Sequence, residues 1–149
     1  MTTKIQNSGG FTLIEMLLSV AALAIIAGIG VPVYQSLQVR NDLDIAATTL
    51  AQGYRRAQVL SQASDGDTTW GIYVQSGSIT LYKGASYAAR DSSLDETFDL
   101  PGSITPSGVA EVVFTKFTGL PQTSGTTTLT SNINETRNIN VNAKGTITY

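Results

Sequence analysis

Apolar residues form one long block near the start of the chain, from Phe11 to Tyr34, in which Glu15 is the only charged side chain. As an α-helix rising about 1.5 Å per residue, this block spans roughly 36 Å, and a hydrocarbon core is about 30 Å thick. The block therefore has the length and polarity of a membrane-spanning helix. Pro32 is predicted to kink it, because proline lacks a backbone donor and clashes with the preceding turn.

The pattern becomes amphipathic after this block. Apolar residues now recur at steps of three and four, which places them on one face of a helix and leaves polar residues on the others. The simplest interpretation is one helix from about Phe11 to about Ser61, whose second half supports a folded domain. The apolar positions of that second half are Leu43, Ala46, Ala47, Leu50, Tyr54, Ala57 and Leu60.

The rest of the chain consists of short β-rich runs. Trp70-Gly71-Ile72-Tyr73-Val74-Gln75 and Ser78-Ile79-Thr80-Leu81-Tyr82-Lys83 flank Ser76-Gly77, which predicts a hairpin with a two-residue turn and one buried face. Residues 84–93 are predicted to form a loop. Further strands are predicted at residues 97–100, 111–117, 126–130, 137–142 and 146–149. The predicted fold class is α+β, a long N-terminal helix packed on a C-terminal antiparallel β-sheet domain.

Composition removes several kinds of chemistry. The chain has 149 residues, a net charge of −2, no cysteine and no histidine. Disulfides, thiolate metal sites and cysteine nucleophiles are excluded, and the commonest general base and metal ligand is missing. No cofactor or metal is expected. The charge balance also gives no basic footprint for nucleic acid.

The acidic residues do not suggest an enzyme. Four of them lie in a turn-rich stretch with no apolar surroundings, which favours a solvated acidic face over an acid/base pair. Asp65 and Asp67 around Gly66 match only part of a calcium-loop pattern, so a solvated turn is the better interpretation. The four acidic residues of the turn-rich stretch are Asp91, Asp95, Glu96 and Asp99.

Glu15 needs a partner or a route to water. A charge at the centre of a membrane helix costs about 2.5–3.5 kcal/mol on insertion scales. The first basic residue after it is Arg40, which is far beyond reach. A chain cut before Phe11 would place a new α-amine one turn from Glu15, on the same copy or a neighbouring one. The alternative is that Glu15 reaches the membrane interface.

The motif Gly10-Phe11-Thr12-Leu13-Ile14-Glu15, with the apolar run after it, resembles the class III signal of type IV pilins and type II secretion pseudopilins. The resemblance implies that prepilin peptidase cuts between Gly10 and Phe11, and that Phe11 is N-methylated. It implies that Glu15 registers the subunit in the filament and that Pro32 is the helix-kinking proline. An ordinary signal peptide, cut near Ala21-Ala22-Leu23-Ala24, is the alternative.

The resemblance also implies a division of the chain. Residues 1–10 are a leader, 11–34 the transmembrane and filament-core helix, 35–61 its amphipathic continuation, and 62–149 a β-rich head. Lys4 favours an inside N-terminus, so the head would lie outside a bacterial inner membrane and later in a periplasmic or extracellular filament. The implied partners are prepilin peptidase, other subunits, an inner-membrane assembly platform and, before assembly, membrane lipid.

Motifs in the second half resemble the pseudopilin H and fimbrial T-type minor pilin group, which implies a structural subunit and not an enzyme. DNA-binding members of that group use a Gly-Arg-x-Arg motif, whereas Gly145-Thr146-Ile147-Thr148 lacks both arginines. DNA capture is the alternative function, but Arg137 and Lys144 alone make a poor phosphate-binding patch. The second-half motifs that carry the resemblance are residues 50–58, 70–72, 113–114 with Gly119, 137–141 and 144–147.

Overall fold

The computed structural model describes residues 10–149, apart from the side chains of residues 29–32. Helix α1 spans Leu13–Gln62, close to the predicted bounds. The helix continues through Pro32. The side chain of Pro32 is outside the described set, so the kink predicted there stays a prediction. The predicted leader, except for Gly10, also lies outside the described residues.

Contacts divide the chain into two units, residues 1–37 and residues 38–149. In the described part of the first unit, α1 exposes its apolar side chains: Leu13 is 80% exposed and Ile26 is 68% exposed. An 18-residue window of α1 has a mean hydropathy of 2.4, and 0% of it is buried. By length and composition, α1 is therefore able to cross a membrane.

Two four-stranded antiparallel sheets dominate the second unit. The first contains β1 (Trp70–Gln75), β2 (Ser78–Lys83), β3 (Glu96–Asp99) and β5 (Glu111–Phe114), in the order β3-β2-β1-β5. The second contains β4 (Ile104–Gly108), β6 (Gly125–Ser131), β7 (Thr136–Val141) and β8 (Ile147–Thr148), in the order β4-β6-β7-β8. The predicted α+β class, with a helix on antiparallel sheets, is confirmed.

One face of α1 forms the core together with both sheets. Between residues 43 and 57 the buried side chains are aliphatic or small, with one tyrosine, and the alanines let the helix backbone come close to the strands. Removing aliphatic surface from water stabilises the fold by about 1.5–3 kcal/mol for each fully buried large side chain. The buried helix residues are Leu43, Ala46, Ala47, Leu50, Ala51, Tyr54 and Ala57.

Tyr54 is fully buried and contacts both sheets. Its ring meets Phe114 of β5 edge-on, with centroids 6.5 Å apart. Its hydroxyl lies 3.0 Å from the Thr127 hydroxyl of β6, which in turn donates to the Val109 carbonyl at 2.5 Å. Burial raises the pKa of Tyr54 to about 12, and the hydrogen bond to Thr127 opposes part of that rise. The hydroxyl is therefore satisfied although it is away from water.

The predicted hairpin is present, with Gln75 paired to Ser78 across the two-residue turn. The structure buries both faces of β2, because Tyr82 on the outer face is fully buried as well. The Tyr82 hydroxyl donates to Glu111 Oε1 at 2.5 Å, and the Tyr87 backbone N–H donates to the same oxygen at 2.6 Å. Burial and the bond to the carboxylate raise the pKa of Tyr82.

Some strand bounds differ from the prediction. The strand expected at residues 111–117 ends at Phe114, because the chain turns and Phe117 has a φ of +67°. β4 was not predicted, since Pro106 lies inside it; an edge strand tolerates proline, and β4 is the edge of its sheet. The expected strands at 126–130, 137–142 and 146–149 appear as β6, β7 and β8 with shifted ends.

Candidate processing and assembly site

Gly10 and Phe11 lie in non-helical backbone, with only Thr12 between them and α1, and both are exposed. The side chain of Phe11 has a relative exposure of 78%. Exposed backbone outside a helix is the kind of segment that a peptidase can bind in extended form. The structure describes both residues of the predicted cut, Gly10 and Phe11, but not residues 1–9 before them.

Thr12 and Glu15 exchange hydrogen bonds at the start of α1. The Glu15 backbone N–H donates to Thr12 Oγ1 at 3.3 Å, and the Thr12 backbone N–H donates to Glu15 Oε2 at 3.3 Å. The Thr12 hydroxyl also donates to Glu15 Oε2 at 3.3 Å. This reciprocal arrangement is a capping box, which satisfies N–H groups that have no partner inside the helix. It holds the carboxylate about one turn from Phe11.

Thr12 was not predicted as a partner of Glu15, because only oppositely charged groups were considered. The spacing Thr-x-x-Glu before an apolar run is itself the signal of a capping box and would have identified the pair. A carboxylate is also favourable near a helix N-terminus, where the helix dipole is positive. The Ser19 hydroxyl adds a bond to the Glu15 backbone carbonyl at 2.7 Å.

The four acidic residues of the turn-rich stretch are not brought together as an acid/base pair. Arg90 Nε donates to Asp95 Oδ2 at 2.7 Å, and Arg56 Nη2 donates to Glu96 Oε1 at 2.5 Å. Asp91 accepts bonds from the Ser93 hydroxyl and backbone N–H, which lower its pKa. Within residues 10–149, no group of three or more acidic side chains is arranged to hold a metal ion.

The turn after α1 is held by an ion pair. Lys116 Nζ donates to Asp67 Oδ1, and this hydrogen bond is the main cause of the lowered pKa of Asp67. The Asp65 backbone carbonyl accepts a bond from the Trp70 indole N–H at 3.0 Å. The partial calcium-loop pattern thus corresponds to a turn whose polar groups bond to other residues of the same chain.

The basic residues considered for DNA contact are Arg137 and Lys144. Arg137 Nε donates to Asp44 Oδ1 at 2.7 Å, so its charge is compensated by α1. Arg40 similarly pairs with Glu135 at 2.8 Å. Lys144 lies exposed in the turn before β8. The pairing of Arg137 weakens the argument for a basic patch with Lys144.

Residues 5–31 match the family model described as the prokaryotic N-terminal methylation motif. The chain carries that motif. The match includes Gly10, Phe11 and Glu15 and ends before the second unit begins. In this motif and in its fold, the chain is type IV pilin-like or pseudopilin-like. No curated protein and no solved structure matches it.

The motif has consequences for processing and location. It implies processing by prepilin peptidase followed by assembly into a filament. Together with the apolar start of α1, it indicates membrane anchoring before assembly into a filament. Proteins with this motif are typically structural and not enzymes.

Proposed function

We propose that the chain is a structural subunit, a minor pilin or pseudopilin, of a type IV pilus or type II secretion pseudopilus. One observation carries this proposal. The methylation motif lies at the start of a helix whose first half has exposed apolar side chains in the single chain. An apolar surface of this length needs lipid or other helices around it. A filament subunit uses both, first the membrane and then its neighbours.

We assign the cut to the bond between Gly10 and Phe11, and N-methylation to Phe11. The exposed, non-helical backbone at both residues supports this assignment. Glu15 is the registration residue, because its carboxylate would pair with the Phe11 α-amine of its own or a neighbouring copy. Thr12 is a positioning residue that holds the carboxylate through the capping box. Pro32 is the proline at which we expect α1 to kink.

We place the chain nearest to the pseudopilin H and fimbrial T-type group. That group is expected to pack its helix on two sheets, and the two four-stranded sheets of the second unit support the placement. Gene neighbourhood tests it and separates the two machines.

The decisive experiment is intact-mass analysis of the full chain co-expressed with a prepilin peptidase. We expect the loss of residues 1–10 and the gain of one methyl group, located on Phe11 by fragmentation. Gly10→Val should block the cut, because a branched side chain replaces the hydrogen that lets the peptidase approach the backbone. Gly9→Val is the matched control and should still be cut. A mature chain that begins after Ala24 would instead identify an ordinary signal peptide and refute the proposal.

A further inference from the structure

The turn between β6 and β7 presents one apolar side chain among uncharged polar ones. Its residues Asn132, Ile133 and Asn134 are all exposed, Ile133 with a relative exposure of 38%. The backbone of the turn is fixed, because the Asn132 N–H donates to the Ser103 carbonyl at 2.8 Å and the Asn134 N–H donates to the Ser131 carbonyl at 3.0 Å. An ordered turn therefore holds an isoleucine in solvent. We call this turn the β6–β7 tip.

Two ion pairs fix the level of the β6–β7 tip along α1. Glu135, the residue after the tip, pairs with Arg40 at 2.8 Å, and Arg137 pairs with Asp44 at 2.7 Å. Four residues of helix rise about 6 Å, and two residues of extended chain rise about 6–7 Å, so β7 runs beside α1 in the same direction. Because the tip precedes Glu135, it lies at the level of Arg40 or nearer to the N-terminus of α1.

The turn that follows β7, residues 142–145, lies far from the β6–β7 tip. Its Gly145 carbonyl accepts a hydrogen bond from Gln58 Nε2 at 3.1 Å. Gln58 follows Arg40 by 18 residues, which is about 27 Å along the helix. The two turns at the ends of β7 are therefore attached to α1 at well separated levels.

Chain length keeps the β6–β7 tip close to the membrane. The apolar block ends at Tyr34, six residues before Arg40. Six residues reach about 9 Å as a helix and at most about 21 Å when fully extended. The headgroup layer on each side of a hydrocarbon core is about 5–8 Å thick. While the apolar block spans a membrane, the tip is thus within reach of that layer whatever the path of residues 35–39.

The composition of the tip suits a lipid interface. Its three residues carry no charge, and the nearest carboxylate, that of Glu135, is paired with Arg40 within the chain. An apolar side chain can enter the boundary between headgroups and acyl chains while polar neighbours stay hydrated. Because the span already holds the second unit at the surface, the local concentration of lipid is high and one apolar side chain is enough for contact.

We propose that Ile133 enters the lipid interface while α1 spans the membrane, so that the β6–β7 tip is where the second unit rests on the bilayer before assembly. The proposal rests on the membrane stage of the proposed function. It gives residues 38–149 a lipid contact of their own, in addition to the one made by the apolar block.

A fluorescent label tests this contact at a single position, because the natural chain has no cysteine. The full chain with Ile133→Cys would be labelled, purified and placed in phosphatidylcholine vesicles that contain lipid with a nitroxide on its headgroup. We expect quenching of the label to be roughly threefold stronger than for Ala143→Cys, the matched control in the exposed turn after β7. Equal quenching at the two positions would overturn the proposal.

Two further measurements identify isoleucine as the cause. Adding phosphatidylglycerol to the vesicles should leave the ratio unchanged, because the tip is uncharged; quenching that requires anionic lipid would overturn the proposal. A label on Asn132→Cys should also be quenched and should lose most of that quenching when Ile133→Asn is added. Quenching that survives Ile133→Asn would count against the proposal. The emission of Trp70, unchanged from the parent, shows that each variant is folded.

A label in the apolar block separates failure of this contact from failure of the proposed function. Leu18→Cys should be quenched strongly by lipid with a nitroxide on its acyl chain. A Leu18 label beyond the reach of that lipid would refute the membrane stage of the proposed function. A quenched Leu18 label, together with equal quenching at Ile133→Cys and Ala143→Cys, would refute the contact of the β6–β7 tip alone.

Discussion

The two halves of α1 place leucine side chains in opposite surroundings. Leu18 in the first half is 65% exposed, whereas Leu50 in the second half is fully buried. The first half is apolar on every side, and the second half is apolar on one face only. The intrinsic helix propensity of the residues therefore does not determine whether either half of α1 is buried. What matters is whether the apolar surface is a stripe that one domain can cover or a whole cylinder that needs many neighbours.

The largest expected effect separates the halves directly. Leu50→Ala should lower the free energy of unfolding of the second unit by about 2–5 kcal/mol, because it leaves a cavity in a packed core. Leu18→Ala removes the same atoms from an exposed position and should change it by less than about 0.5 kcal/mol. Denaturant titration of the full chain in detergent, followed by near-ultraviolet circular dichroism, measures both. Equal losses for the two variants would contradict the comparison.

The next effect concerns pH and belongs to the buried half. The folded-state pKa of Tyr54 is about 12, above the 10.0 of an ordinary tyrosine, so the unfolded chain ionises first. Stability present below pH 10 should therefore be lost as the pH rises towards 12, by about 1.4 kcal/mol per pH unit. Tyr54→Phe should remove this part of the slope.

Denaturant titrations at about pH 9 and about pH 11 give the two slopes. Some alkaline loss should persist in Tyr54→Phe, because burial and Glu111 also raise the pKa of Tyr82. An unchanged slope in Tyr54→Phe would mean that the buried hydroxyl is not the group that titrates.

The smallest change in folding energy is expected at the start of the exposed half. Glu15→Ala removes the capping box and should cost α1 about 0.5–1 kcal/mol, with insertion and leader removal unaffected. Glu15→Gln keeps an acceptor at the same position but removes the charge. If registration depends on charge, both variants should enter filaments poorly, as measured by the fraction recovered in sheared pili or pseudopili. Normal incorporation of Glu15→Gln would assign the role to the cap instead.

Features set by local chemistry could be predicted from the sequence. The span of α1, its buried stripe and the β1–β2 hairpin all follow from periodicity or from a two-residue turn containing glycine. The motif around Gly10, Phe11 and Glu15 was equally legible, and the match to the methylation motif covers these residues.

Features that depend on distant neighbours could not be predicted. The hairpin was predicted to bury one face, and Tyr82 on the other face is buried as well, because Glu111, from a later strand, and the ring of Tyr87 contact it there. Phe117 looked like the end of a strand, and its turn is set by a bond to Ser61 at the end of α1. β4 was not predicted because it contains Pro106. Proline is acceptable there only because β4 is the edge strand of its sheet.

The single tryptophan gives the molecule its own reporter. Trp70 is nearly buried at the start of β1, and its indole N–H donates to the Asp65 carbonyl just beyond α1. Its fluorescence emission therefore senses whether the junction between helix end and first strand is closed. Because the apolar half of the helix contains no tryptophan, the emission of the purified protein in lipid vesicles follows the globular part by itself.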